Sequence, residues 1–241
     1  MNRLRRYRLD LISIALCTLA VAAATPLVAQ AAAANPTASS VLKATKAVVA
    51  KESSVHVSHV STSGSSTTSI VADVTKTSGT ETIKSGSEDV TIIVTPTYVY
   101  LRGNSAGLTS LMGLTAAQQK KVGADSISMK AGTTPYSELA ASATISLVDA
   151  VMPSAAGTTV STAKVDNKKV YELKWTIKAT STAPKAASEM TVSFGTSSLP
   201  VKEIITAKTG VATTTFTKWG ERVLPVTPSA SSIVTYAKIF G

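Results

Sequence analysis

Between Tyr171 and Lys178 the chain alternates without a break. Tyr171, Leu173, Trp175 and Ile177 are apolar, and Glu172, Lys174, Thr176 and Lys178 are polar. Successive side chains of a strand point to opposite faces, so this period requires a strand with one apolar and one wet face. Such a strand belongs to an antiparallel sheet whose apolar face is covered by other elements. The same pattern recurs at Ile70, Ala72 and Val74 and at Val90, Ile92 and Val94. Val99 and Leu101 repeat it between Tyr98, Tyr100 and Arg102. The abundance of Val, Thr and Ile favours strands throughout.

The rest of the chain groups around these strands. Ser40 is placed to cap an amphipathic helix reaching about Glu52, with Val41, Thr45, Val48 and Val49 on one side. A meander follows from Val55, with a Ser/Thr/Gly turn over Ser61–Thr68, a short strand at Glu81–Lys84 and a turn at Thr95-Pro96-Thr97. The middle reads as helices at Ala106–Met112 and Thr115–Val122 around Gly113, then a brief strand at Ile127 and Met129. Thr134-Pro135 opens a helix expected to run to Met152, before Pro153. Val160–Val165, a hairpin turn at Asp166-Asn167-Lys168, and strands at Met190–Phe194, Leu199–Ala207 and Val211–Trp219 return to β structure. Residues 220 to 230 read as extended, and Ile233–Phe240 as a short terminal helix. About eight mostly consecutive strands imply an antiparallel sheet, covered by the helices.

The N-terminus has a different logic. Arg3, Arg5, Arg6 and Arg8 precede the apolar run Leu11–Ala24, and Ala29-Gln30-Ala31 supplies small residues at the two positions a signal peptidase reads. This order is that of an export signal. The run is shorter than the roughly 20 residues of a spanning helix, and Pro26 follows it. The expected organisation is a signal over residues 1–31, a flexible lead-in over 32–39 and one domain over 40–241. The protein is then extracytoplasmic, secreted or in the cell envelope. Cys17 is the sole cysteine. Ile14, Ala15 and the bulky Leu16 before it make a poor lipidation site, so cleavage near Ala31 is favoured over a lipid anchor. A mature chain without cysteine has no disulfide and no thiolate metal site.

Removing residues 1–31 takes away four arginines and one aspartate and leaves a net charge of +7. The charges are scattered, with basic doublets only at Lys120-Lys121 and Lys168-Lys169. A nucleic-acid surface would concentrate them in a stripe with aromatics. Mild attraction to an anionic membrane or cell wall fits better, as does simple solubility.

Catalytic motifs are weak. Ser40-Val41-Leu42-Lys43 and Lys208-Thr209-Gly210 match two short motifs of penicillin-binding enzymes, and Asp166-Asn167 part of a third. That nucleophile begins a buried helix after earlier strands, whereas Ser40 lies near the start of the mature chain. Asp166-Asn167 and Lys208-Thr209-Gly210 read as turns. His56 and His59, the only histidines, face opposite ways on a strand and cannot share a metal from there. They read as strand-surface residues. No catalytic residue, metal ligand or cofactor is expected.

The order of elements carries a resemblance. It rests on the first helix and on five segments: Asp89–Gly103 with its Thr95-Pro96-Thr97 turn, Thr134–Ala140, Lys169–Trp175, Leu199–Ile205 and Phe216–Pro225. Together these resemble the actinobacterial envelope lipoproteins of the LppX/LprG type, related in fold to the LolA and LolB lipoprotein carriers. The resemblance implies an α+β fold: a curved antiparallel half-barrel with helices packed on its concave face. It also implies a non-catalytic carrier whose apolar cavity holds a lipid or acylated glycolipid. Those relatives are lipidated at a cysteine that Cys17 matches poorly.

On that reading, cavity walls are expected at Tyr171, Leu173, Trp175 and Ile177 and at Ile92, Val94, Val99 and Leu101. Leu111, Met112, Leu114, Leu147 and Val151 are expected to close the cavity from the helices. The alternative is a cell-wall structural or interaction module whose core is solid. The same periodicity serves a filled core and a cavity wall.

Overall fold

The computed structural model describes residues 36–179 and 185–241. The proposed signal, its cleavage site, Cys17 and the start of the lead-in therefore lie outside the described residues.

The first helix, α1 (Ala38–Val49), begins one turn earlier than expected because Thr37, not Ser40, is its cap. Thr37 Oγ1 accepts from the Ser40 amide at 3.1 Å, and Ser40 Oγ accepts from the Thr37 amide at 3.0 Å. This reciprocal pair satisfies two of the donors a helix start leaves open. Ala38, Val41, Leu42, Thr45 and Val49 form its buried stripe.

The strands make one sheet of twelve. The first six, β1 (Ser54–Ser63), β2 (Ser66–Thr75), β3 (Gly79–Ser85), β4 (Glu88–Val94), β5 (Tyr98–Gly103) and β6 (Ser126–Lys130), pair in chain order. The second meander, β7 (Thr159–Val165), β8 (Lys168–Ile177), β9 (Ala186–Ser193), β10 (Pro200–Ala207) and β11 (Gly210–Thr217), joins the first where β11 pairs with β1. A short β12 (Ile233–Thr235) adds to β6 in parallel. All other pairings are antiparallel, and β7 and β12 remain unjoined edges. A sheet this wide coils with the native strand twist, giving the curved, unclosed half-barrel.

The sheet exceeds the expected eight: β1 to β11 each contain a segment read above as a strand, and β12 forms where a terminal helix was expected. The hairpin turn at Asp166-Asn167 is present. Both residues have positive φ, 49° and 61°, as a two-residue primed turn requires.

Among the described residues there are five further α-helices: α2 (Ser105–Met112), α3 (Ala116–Val122), α4 (Thr134–Ala140), α5 (Ser146–Val151) and α6 (Tyr236–Phe240). Gly113, at φ 70°, closes α2 in a left-handed C-cap. The single helix expected over 136–152 is two, and the expected terminal helix is β12 followed by α6.

The break between α4 and α5 has a physical cause. The Ile145 amide donates to Thr75 O at 2.9 Å. Ser142 Oγ donates to both Leu139 O (2.9 Å) and Glu81 Oε2 (2.8 Å), and Thr144 Oγ1 donates to Ala140 O at 3.0 Å. Ser and Thr side chains here replace helical backbone bonds and tie the chain to the sheet.

The covered face holds two apolar clusters. One lies over β2–β6 and takes residues from α2, α3, α4 and α6. The other lies over β1, β2, β8, β9 and β11, beneath α1 and α5.

Candidate functional site: the covered face of the sheet

Alternation and register define the covered face strand by strand. It includes Val55, Val57 and His59 on β1, Ile70, Ala72 and Val74 on β2, and Glu81 and Ile83 on β3. The face continues through Ile92 and Val94 to Val99 and Leu101 and then Met129 and Ile127. In the other direction it runs through Phe216 and Thr214, Glu203, Met190 and Leu173.

The expected wall residues fall into two groups. Ile92, Val94, Val99, Leu101, Leu111 and Leu114 are buried in the first cluster, with Met112 packed against it. Leu173 and Val151 are buried in the second, with Leu147, Tyr171 and Trp175 packed against it. Ile177 is buried outside both clusters.

The cover of this face is uneven. Val94, Val99, Leu101 and Ile127 have no exposed surface. On β8, by contrast, Tyr171 and Trp175 are only half-buried, although they share the face of Leu173. At one end of β8 the Tyr171 ring lies 4.7 Å from that of Phe194, which is 39% exposed, and Lys169 Nζ sits 4.1 Å above Phe194. The apolar face therefore reaches solvent along the β8–β9 side.

Polar groups are also buried on this face, and sequence reading missed them. Glu81 accepts from Ser142, and burial pushes its carboxyl up to about 7. Glu203 accepts from Ser188 Oγ at 3.4 Å, and burial pushes it up to about 8. His59 Nδ1 meets Thr214 Oγ1 at 3.0 Å, and burial lowers its pKa. The strand-surface reading of the histidines is thus corrected for His59, which is 2% exposed. The opposite orientation expected of the pair holds, because His56 faces outward and meets Asp73 at 2.8 Å. The missed signal was an ionisable residue standing in the apolar phase of a strand: Glu81 two residues before Ile83, and His59 two after Val57.

The outer face is wet around Glu172, Lys174 and Thr176, as expected from Tyr171–Lys178. Lys174 bridges Glu172 at 3.3 Å and Glu189 at 3.2 Å. A groove of about 450 Å³ there is lined by Thr159, Lys174, Thr176, Glu189, Ile204 and Thr206, with Trp175 and Ser188 also at its wall. A second, of about 460 Å³, lies between His56, Asp73, Thr80 and Ile93 and the strap Lys218–Val226.

The residues of the penicillin-enzyme motifs are not brought together as a site. Ser40 is engaged in the α1 cap, Lys43 is exposed, and Asp166-Asn167 and Lys208-Thr209 are hairpin turns. Among the described residues no group of three His, Cys, Asp or Glu is placed to hold a metal. No helix among them is long and apolar enough to cross a membrane.

No protein-family model matches the sequence, and no curated protein matches it significantly. The structure is similar to that of the lipoprotein LppX of Mycobacterium tuberculosis, with a TM-score of 0.50 and 18% identity over 78% of this chain and 98% of that one. It is also similar to LprF from Mycobacterium bovis, with a TM-score of 0.46 and 14% identity over 80% and 97%. The expected half-barrel is therefore present, and the fold of this chain is that of LppX.

Proposed function

We propose that this protein is an exported, non-catalytic carrier of a lipid or acylated glycolipid. Its acyl chains would lie between the sheet and the helices, with the head group at the mouth. The observation that carries the reading is the uneven cover of the apolar face. A sheet of twelve strands spaced about 4.8 Å apart is roughly 55 Å wide along its curve. Over the second meander the described cover is chiefly α1 and the six-residue α5. Tyr171 and Trp175 are left half-buried beside Leu173, Met190 and Val192, which are fully buried. Exposed apolar surface of this kind, rimmed by polar residues, is what a ligand-binding groove presents. The likeness in fold to a lipoprotein and the export signal over residues 1–31 support the same reading. Under it the mature chain begins near Ala32, and its scattered positive charge favours an anionic envelope surface.

Intrinsic fluorescence provides the test. The chain has two tryptophans. Trp219 lies outside β8 and donates to Pro200 O at 3.2 Å, so Trp219→Phe leaves Trp175 as the reporter. Stearate carrying a nitroxide quencher should bind saturably and quench Trp175 by more than half. Protein extracted gently should show an added lipid mass by native mass spectrometry. A protein with no lipid mass and no saturable quenching is the solid-cored wall module instead.

A further inference from the structure

The covered face carries a polar row that ordinary packing does not account for. His59, Thr214 and Glu203 stand side by side on β1, β11 and β10, since His59 pairs with Thr214 and Thr214 with Glu203. They are 2%, 3% and 1% exposed. The row is flanked by Ile70 beyond His59 and Met190 beyond Glu203. Its internal bonds are incomplete: His59 Nε2 and Glu203 Oε2 are both buried without a hydrogen-bond partner. Thr45 Oγ1, on the buried stripe of α1, is a third such atom. Native structures satisfy nearly all buried polar groups, and an unsatisfied one bears the full cost of leaving water. Here two unpartnered atoms stand on strands flanking β11.

We propose that this row is a hydrogen-bonding station for a hydroxyl group carried on the acyl chain of the ligand. This rests on the carrier reading above. A hydroxyl fits because it both donates and accepts. Ser188 Oγ–H donates to Glu203 Oε1, which leaves Oε2 as the proton-bearing oxygen of a neutral acid and hence a donor. Its raised pKa is consistent with that form. His59 Nε2 accepts when Nδ1–H donates to Thr214, and donates in the other tautomer. An unsubstituted methylene chain would leave both atoms unpaired. A site built to bond a hydroxyl therefore rejects the chain that lacks one.

The experiment compares stearate with a series of stearates bearing one hydroxyl at successive positions. Each displaces a fluorescent fatty acyl probe from the full mature chain. The hydroxylated acid whose group reaches the row should bind at least tenfold tighter than stearate. Glu203→Leu and His59→Phe should each reduce that hydroxystearate-to-stearate preference to less than about threefold. Glu203→Gln, which keeps a donor at that place, should retain most of it and covers the case in which Glu203→Leu fails to fold. If the parent protein binds stearate and every hydroxystearate equally, the station is overturned and the carrier reading stands. If no acid displaces the probe because none binds, both fall.

Discussion

Replacing Glu81 or Glu203 by glutamine stabilises the protein at pH 8 and leaves its stability nearly unchanged at pH 4. Both carboxyls are raised by burial, to about 7 and about 8 from an ordinary value near 4.5. Each folded-state pKa is higher than the unfolded one, so the native state holds these protons more tightly. The contribution to stability is complete below the unfolded pKa. It declines as pH rises from about 4.5 and levels off above the folded pKa of each group. One pKa unit corresponds to about 1.4 kcal/mol, so the gain on removing the charge is on the order of 2–4 kcal/mol per site at pH 8. Glutamine keeps the acceptor for Ser142 at one site and for Ser188 at the other. His59 works in the opposite sense: its pKa is lowered, so its contribution is present above about 6.5 and declines as pH falls through that value. It is common to parent and variants, and the difference between their urea midpoints at pH 4, 6 and 8 isolates the glutamates. A glutamine variant equally destabilised at every pH would mean the carboxylates are ionised and held by their neighbours.

These glutamates also mark where the sequence stops being legible. The strands whose inward face could be read were those with apolar residues in one phase and polar residues in the other. Val99 and Leu101, expected to face inward between Tyr98, Tyr100 and Arg102, are fully buried. The Tyr171–Ile177 face is where the alternation placed it. Strands such as Thr159–Val165 and Gly210–Thr217 are rich in Thr, Ala and Ser on both phases. They were still readable as strands, from their β-branched content and the hairpin turns beside them at Asp166-Asn167 and Lys208-Thr209; what their sequence leaves open is which face is buried. The union of β1 with β11, which fuses two meanders into one sheet, joins residues more than 140 positions apart, from Ser63–Gly210 to His56–Thr217. No local period encodes that. The site was legible to the same extent. The buried apolar face follows from alternation, but the His59–Thr214–Glu203 row exists only because three strands from opposite ends of the chain stand together.

The helix that the sequence ran on from Tyr136 to Met152 leads to the largest structural effect we expect. Its break docks on Gly79. A Cβ added to Gly79 would collide with the backbone carbonyl of Ala143 and approach Val74 Cγ1 to 2.9 Å and Asp73 O to 3.0 Å. The carbonyl cannot easily retreat. It lies between Ser142, bound to Glu81, and Ile145, bound to Thr75 O, and Ala143 itself is fully buried. Gly79→Ala is therefore expected to cost about 3 kcal/mol, the upper range for overpacking a rigid site. Gly64→Ala is the matched control. Gly64 has φ +57° with nothing within 4 Å, so its substitution should cost only about 1 kcal/mol, from left-handed backbone strain. The two mechanisms differ in where the damage appears. Gly64→Ala strains a turn at the surface. Gly79→Ala pries the α4–α5 connection off β3, so the Ile145 amide should lose its hydrogen-exchange protection before global unfolding. Because Val148 and Val151 of α5 cover the second apolar cluster, the same variant should also quicken acyl-probe entry at the β8 face. Equal costs for the two glycine variants, with Ile145 protection unchanged, would show that the connection is not held on Gly79 as the packing requires.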